Sequence, residues 1–398
     1  MVTYGLPYPP HAGSRIRNLN TIRALSRHHS IIVLSLTWDA ADRDHVAALR
    51  RHCEHVDVVL NHRSRAQSLA ALVRGSLSDR PLAAFRYYFP AMADRIREVV
   101  ATRPVDAAIF DQIYVAPYID ALPRDRGCRT ILSLHDVPSS QYRSMVGIQR
   151  SAPARARHAL WARLMTLMER RYLDRFDHHV VVSAREADLL RARHYAVPIS
   201  VIENGIDAFA CRPLPEPAHG DGILFVGDMQ YGPNADAARH LADDIFPIVR
   251  AAMPRATLCI VGQRPAVAPG VHVTVTGRVA DLTPYYRAAK VVVVPLRAGG
   301  GTRLKILEAM ALGRPVVSTP IGCEGLDVVD REHLCVADTP ARFARDVVEL
   351  LSSADHRRRL VRAARRLVET RYDWSIINRK LTALYDDLLG NAPAVEPR

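Results

Sequence analysis

Short, continuously apolar runs, each followed by a stretch with helical spacing, constrain this chain more than any other feature. A first series lies at 30–36, 56–60, 105–110, 130–134, 179–183 and 199–202, after what reads as the tail of a strand in the opening residues. A second lies at 223–226, 257–261, 271–275, 291–294, 315–318 and 334–336. A strand that is apolar throughout must be covered on both faces, and intervening helices supply that cover, so each series predicts a doubly wound parallel sheet. The chain has 398 residues, too many for one ordinary core, and two Rossmann-like α/β domains of about 150–200 residues each are expected. The join falls near Glu203-Asn204-Gly205-Ile206-Asp207, ahead of the Pro-rich stretch 212–217. Asn-Gly reads there as a turn made by residues that tolerate positive φ.

The richest stretch for chemistry runs from Gly299 to Thr319, directly after the run 290–295. Gly299, Gly300 and Gly301 give a loop whose backbone N–H groups no side chain shields. Leu304, Leu307 and Ala311 then share a helical face, and Gly313 stops the helix as a C′ residue. A glycine turn opening onto a helix N-terminus suits an anion, because unpaired N–H groups and the positive end of the dipole coincide. Thr302 is placed to cap that end, with Arg303 and Lys305 adding full charges. Cations are ordinarily disfavoured there, so something strongly negative, such as a diphosphate, is expected to dock. Glu308 offers an acceptor for sugar hydroxyls. The competing reading is an ordinary βαβ turn with a basic helix face.

Composition limits the alternatives. The net charge of +13, with 54 Lys and Arg, points to an anionic partner or to an Arg-rich proteome. No nucleic-acid motif occurs, and aromatic residues at 6% of the chain are too sparse for stacking platforms, so no nucleic-acid partner is expected. An anionic membrane surface is a candidate partner, and 143–175 could lie on it as a basic amphipathic helix. The alternative is a surface helix packed on its own sheet. Cys53, Cys128, Cys211, Cys259, Cys323 and Cys335 show no paired spacing, which reads as reduced thiols in a cytoplasmic protein without structural zinc. No apolar run reaches membrane-spanning length, and no signal peptide opens the chain. Asp42-Arg43-Asp44 has the spelling of a metal-binding DxD but opens an apparent helix. GxGxxG, GxxxxGK[ST] and GxSxG are all missing, against dinucleotide oxidoreductases, P-loop NTPases and hydrolases of the elbow type.

The segment GGGTRLKILEAMA resembles the signature of the retaining glycosyltransferases of family 4. The resemblance implies a GT-B fold, with two Rossmann-like doubly wound domains facing a cleft, divided as 1–205, 206–372 and a last helix, 373–398, that packs back on the first domain. It implies transfer of a hexosyl unit from a nucleotide diphosphate sugar to a glycan or lipid-linked hydroxyl acceptor, in cell-surface polysaccharide or glycolipid synthesis. No cofactor and no metal are implied. Many members carry two glutamates eight positions apart; Glu308 matches the second, but Gly300 stands at the first. The opening strand is shorter than usual for the family, which implies a truncated start or an initiator downstream of the true one.

The same resemblance implies further site residues. His135, after the run 130–134, matches a histidine of the cleft and is the catalytic candidate. Gly13 and Ser14, before the first helix, match a loop that touches diphosphate or acceptor, with Ser14 as a cap. Gly227 allows close approach of the diphosphate, and Asn234 is expected to cap the next helix. The family's arginine and lysine in this neighbourhood are replaced by Asp228 and Asn234, which leaves phosphate charge to Arg303, Lys305, Arg297 or Arg278. Gly277 and Arg278 match the loop beside the nucleotide base; Asp327 and Glu324 are weaker candidates. A GT-B sugar-nucleotide 2-epimerase and a non-catalytic sugar-nucleotide-binding partner are the alternatives.

Overall fold

The computed structural model describes residues 1–61, 81–123, 127–217 and 220–390. The Pro-rich tail from Asn391, expected to fray, lies outside the described residues. The chain divides into two compact units: Met1–Ser140 with Ala159–Glu203 and the chain from Ile377 onward, and Gln141–His158 with Asn204–Ile376.

The first unit holds a seven-stranded parallel sheet in the order β3-β2-β1-β4-β5-β6-β7. Its strands are β1 (Val2–Thr3), β2 (Ile32–Thr37), β3 (His55–Leu60), β4 (Ala107–Asp111), β5 (Arg129–Leu134), β6 (His178–Val181) and β7 (Ile199–Val201). Short as it is, β1 is central, pairing Val2 with Leu34 and Phe110 and Thr3 with Ser35 and Asp111. Each predicted run of the first series is a strand here. Continuous burial along β4, β5 and β6 is what helices on both faces produce.

The second unit repeats the plan with six parallel strands in the order β10-β9-β8-β11-β12-β13. These are β8 (Asp221–Val226), β9 (Ala256–Val261), β10 (Val273–Val275), β11 (Val291–Val294), β12 (Val316–Ser318) and β13 (Cys335–Val336). All four valines of β11 are fully buried, and the Leu304–Ala311 helix buries Ile306, Leu307 and Met310 in the same core. Gly313 ends that helix at φ 69°, the left-handed C′ conformation expected of it.

Gly205 is a glycine for a different reason from the one its sequence suggests. It is not among the residues with positive φ; instead a Cβ there would lie 2.9 Å from the Trp374 ring and 2.9 Å from the Tyr372 carbonyl oxygen. Ile206 and Asp373 pair as a parallel bridge beside it. The final helix runs from Trp374 to Leu388. From Ile377 it belongs to the first unit, where Lys380 pairs with Glu203 at 3.2 Å and His29 with Asp386 at 3.2 Å. None of the six cysteines, all of them among the described residues, is joined in a disulfide. Among the described residues no helix is long and apolar enough to cross a membrane.

Candidate functional site

In a doubly wound sheet, the two strands where the winding reverses leave a crevice outside their carboxyl ends. Those strands are β8 and β11 in the second unit, and the two predicted loops follow them. Gly227 follows β8 with no room for a side chain: a Cβ would lie 2.8 Å from Asn234 Cγ and 3.0 Å from Lys305 Nζ. Lys305 therefore reaches across from the Leu304–Ala311 helix into the β8 loop. Its ammonium donates to Asn234 Oδ1 at 2.8 Å and lies 4.9 Å from the centre of the Phe225 ring. Burial pushes its pKa down to about 7, Arg303 pushes the same way, and Glu308 opposes them. Glu308 accepts a hydrogen bond from Tyr286 Oη at 2.9 Å. Burial raises its carboxyl above the ordinary range, while the Tyr286 bond and Lys305 pull it back.

Arg303 is only 7% exposed. Its Nη1 donates to the carbonyl of Gly301 at 2.9 Å and to that of Gly300, but Nε and Nη2 have no hydrogen-bond partner. A buried cation with two idle donors is costly, and an anion placed against them removes that cost through strong charge-assisted bonds. The amides of Gly300, Gly301 and Thr302 likewise donate to no acceptor among the described residues. Gly299 and Gly301 sit at φ 132° and 70°, a region costly for any other residue. Idle N–H groups, a buried guanidinium and a helix N-terminus thus converge on one loop, as an anion site requires.

Several expectations need correction. Gly299 is not open: its N–H donates to Ser144 Oγ at 3.1 Å. Thr302 does not cap, because the helix begins at Leu304 with Arg303 at the N-cap position, and Thr302 Oγ1 accepts from Asn204 Nδ2 at 2.6 Å. Nor does Asn234 cap: it lies inside the Gly232–His240 helix, where its amide donates to the Asp228 carbonyl at 2.9 Å and its oxygen receives Lys305. Arg297 is held by Asp236 through bonds of 3.0 and 2.7 Å, so it is not a free phosphate cation. Arg278 is exposed after Gly277, which sits at φ 75°. Asp327 pairs with Arg371, and its N–H donates to Tyr372 Oη at 2.7 Å.

In the first unit the winding reverses between β1 and β4. Asp111 ends β4, is 1% exposed, and accepts from Asn18 Nδ2 at 2.7 Å. His135 follows β5, with Nε2 2.9 Å from Asp111 Oδ1 but without hydrogen-bond alignment, and with Nδ1 3.2 Å from Gln112 Nε2. Both imidazole nitrogens thus face groups of the first unit. Gln112 sits at φ 70°, a conformation a non-glycine residue adopts only under constraint. Gly13 and Ser14 open the Gly13–Leu25 helix, but Ala12 is the N-cap residue and no side chain caps it, so Ser14 is a first-turn residue. Asp42 is buried against Arg15 and Thr37 Oγ1. Among the described residues no group of three or more His, Cys, Asp and Glu side chains is placed to hold a metal.

With that geometry in hand, comparison with known proteins decides the family. The model described as "Glycosyltransferase Family 4" matches residues 13–208, and that described as "Glycosyl transferases group 1" matches residues 220–353. The chain belongs to glycosyltransferase family 4. Phosphatidyl-myo-inositol mannosyltransferase of Mycobacterium tuberculosis is 28% identical over 214 residues, 49% of this chain and 56% of that protein. The chain thus spans about half the length of the curated relatives it matches first. An uncharacterized 44.6 kDa protein in the cps region of Klebsiella pneumoniae is 20% identical over 392 residues, covering 94% of this chain and 96% of its own. Among solved structures, sucrose-phosphate synthase from Thermosynechococcus elongatus aligns with a TM-score of 0.73 at 19% identity, over 98% of this chain and 99% of that one. HepE of Anabaena, in complex with UDP-glucose, aligns at 0.65 and 14% identity, over 97% and 98%. These likenesses establish the GT-B fold of this family 4 member.

Sequence reasoning missed Asp111, Gln112, Tyr231, Gln141 and Ser144. An acidic residue closing one strand, next to a strand that a histidine follows, was the available signal for Asp111. Nothing local marks Ser144 as the partner of Gly299.

Proposed function

We propose that this family 4 member is a retaining glycosyltransferase that moves a hexosyl unit from a nucleotide diphosphate sugar to a hydroxyl acceptor. One observation carries this: buried Arg303 holds two unpartnered donors beside three idle amides, an arrangement complementary to a diphosphate. The HepE structure, which contains UDP-glucose, supports a nucleotide sugar as its source. In the reaction the bond from anomeric carbon to phosphate oxygen breaks and one to the acceptor oxygen forms on the same face, while the acceptor proton passes to the leaving phosphate. Arg303, Lys305 and the loop amides oppose negative charge as it grows there, which lowers the barrier by preorganised electrostatics. Glu308, held by Tyr286, takes ribose hydroxyls. The His135–Asp111 pair serves the acceptor side. With cations supplied by the chain, the reaction needs no metal and proceeds in EDTA.

The acceptor is a glycan or a lipid-linked glycan, in cell-surface polysaccharide or glycolipid synthesis, at the cytoplasmic face of a membrane. A stripe on the Ala152–Tyr172 helix supports a membrane-facing surface: Leu160 is 55% and Leu167 is 43% exposed. Arg163, Arg170 and Arg171 are exposed on the same helix, whereas its one acidic residue, Glu169, is buried. Flotation on anionic vesicles tests that surface, and binding unchanged by R163E/R170E/R171E removes it.

Release of nucleoside diphosphate from UDP- and GDP-sugars, with and without lipid-linked acceptors and EDTA, tests the central reading. Acceptor-dependent release, lost in R303M, is expected. Isomerised nucleotide sugar without transfer would establish an epimerase instead. Tight binding without turnover would leave a non-catalytic partner.

A further inference from the structure

Family members with a carboxylate at the position of Gly300 have an acidic group for the transferred sugar; this chain has none on the loop, and the nearby carboxylates are engaged elsewhere. Asp228 accepts from Gln230 N–H at 2.9 Å and Gln263 Nε2 at 2.7 Å, and Asp236 is held by Arg297. Glu308 is bound by Tyr286 and lies beside Lys305. Arg303 and Lys305 apart, the polar side chains gathered at the glycine loop are the neutral ones of Tyr231, Gln141 and Ser144. A Cβ on Gly299 would lie 3.1 Å from Tyr231 Oη and 2.6 Å from Arg303 Nη2, so a phenol and an unpartnered guanidinium nitrogen flank the same face of one glycine. Gln141 Nε2 donates to Tyr231 Oη at 2.6 Å. The phenol oxygen accepts there, which fixes the orientation of the Tyr231 hydroxyl. Ser144, one turn along the same Pro138–Ile148 helix, receives the Gly299 N–H and donates to the Gln141 carbonyl at 2.7 Å. Met145 packs so closely on Gly232 that a Cβ there would lie 2.6 Å from its methyl carbon. These contacts all lie within the second unit.

We propose that Tyr231, oriented by Gln141, is the sugar-reading residue of this donor site, and that Ser144 positions the glycine loop beneath it. The inference rests on the donor-site reading above and deepens it: the ligand class is the hexosyl group of a nucleotide diphosphate sugar. Its hydroxyls are read by a phenol and an amide in place of a carboxylate. Glycine at position 299 is required twice, by its φ and by the space that the phenol and guanidinium occupy. Hydroxyls read by a phenol and an amide are discriminated less sharply than by a carboxylate, because hydrogen bonds to charged groups are the stronger kind.

The test compares each nucleotide sugar with its own nucleotide by calorimetry, using UDP-glucose, UDP-N-acetylglucosamine and GDP-mannose against UDP and GDP. For the nucleotide sugar that wild type binds, Y231F and Q141L are expected to weaken binding about three- to tenfold, the loss of one hydrogen bond. The affinity for the bare nucleotide stays within about twofold on the same reasoning. S144A weakens both ligands together, since it loosens a loop that the diphosphate also uses. Unchanged melting temperatures establish that the variants fold, and Y231W serves as a second probe should Y231F be unstable. Equal affinity of wild type and Y231F for the nucleotide sugar, or equal loss for sugar and bare nucleotide, overturns the role of Tyr231 while leaving the donor site intact. No binding of any nucleotide by wild type overturns the donor-site reading itself.

Discussion

The ammonium of Lys305 makes donor binding sensitive to pH in a calculable way. In the unliganded protein its pKa is about 7, lowered by burial and by Arg303. A diphosphate beside it stabilises the charged form and returns the pKa toward the ordinary lysine value of about 10.4. Binding must then take up about half a proton at pH 7 and about nine-tenths at pH 8, because the free site is progressively neutral as pH rises through its pKa. The same linkage makes affinity fall about fivefold between pH 7 and 8 and stay nearly flat below pH 6. The sign follows from a lysine whose pKa is depressed in the free site: charge present below pH 7 is missing above it. Calorimetry of a nucleotide sugar in two buffers of different ionisation enthalpy reads the uptake directly. A nucleotide sugar is the right ligand, since the terminal phosphate of a free nucleotide titrates in the same range. K305M is expected to bind weakly with no uptake, and K305R to bind with no pH dependence, a guanidinium remaining charged throughout. E308Q, which alters the other titratable group facing the ammonium, should retain the uptake. Proton uptake in K305M equal to that of wild type refutes the reasoning.

Other outcomes follow from single contacts. G205A forces a methyl group against the Trp374 ring and the Tyr372 carbonyl. Overpacking of this kind costs about 1–3 kcal/mol, readable as a lower midpoint in urea, and wild-type stability in G205A would show that the segment can shift. D111N removes the charge facing His135 Nε2; turnover should fall about tenfold or more, as for loss of a group that orients a catalytic partner, while nucleotide affinity is unchanged. An equal loss of nucleotide affinity would place Asp111 in the framework of the fold.

Both sheets were legible because a strand buried on two faces writes itself locally: the four valines of β11 or Ile131–Leu134 of β5 need no knowledge of distant residues. The glycine loop was legible for the same reason, its three glycines and two cations being consecutive or nearly so. Capping was misread at Ser14, Thr302 and Asn234, where residue type gives a preference that tertiary partners override. Asn204 draws Thr302 away, Lys305 takes Asn234, and the Gly13–Leu25 helix starts two residues earlier than a Ser14 cap allows. Grouping of Gln141–His158 with the second unit was illegible, since it depends on contacts with Tyr231, Gly232 and Gly299 about ninety or more positions away.

Replacement of the family's loop cations by Asp228 and Asn234 reads in sequence as a weakened phosphate site. The structure gives it another meaning. Lys305 reaches its ammonium to Asn234 and to the space over Gly227, so positive charge stands at the β8 loop although the β8 loop does not carry it. Asn234 can serve there because an amide accepts from an ammonium, whereas a lysine at the same place would repel it. Position 234 and position 305 are therefore one electrostatic unit, and what the sequence shows as loss at one is relocation to the other. The same logic covers Gly300. It is not among the glycines with positive φ, so its φ does not demand glycine. Arg303 already holds the Gly300 carbonyl through Nη1, and its Nε and Nη2 are left idle; a carboxylate on this loop would compete with a diphosphate for those two donors.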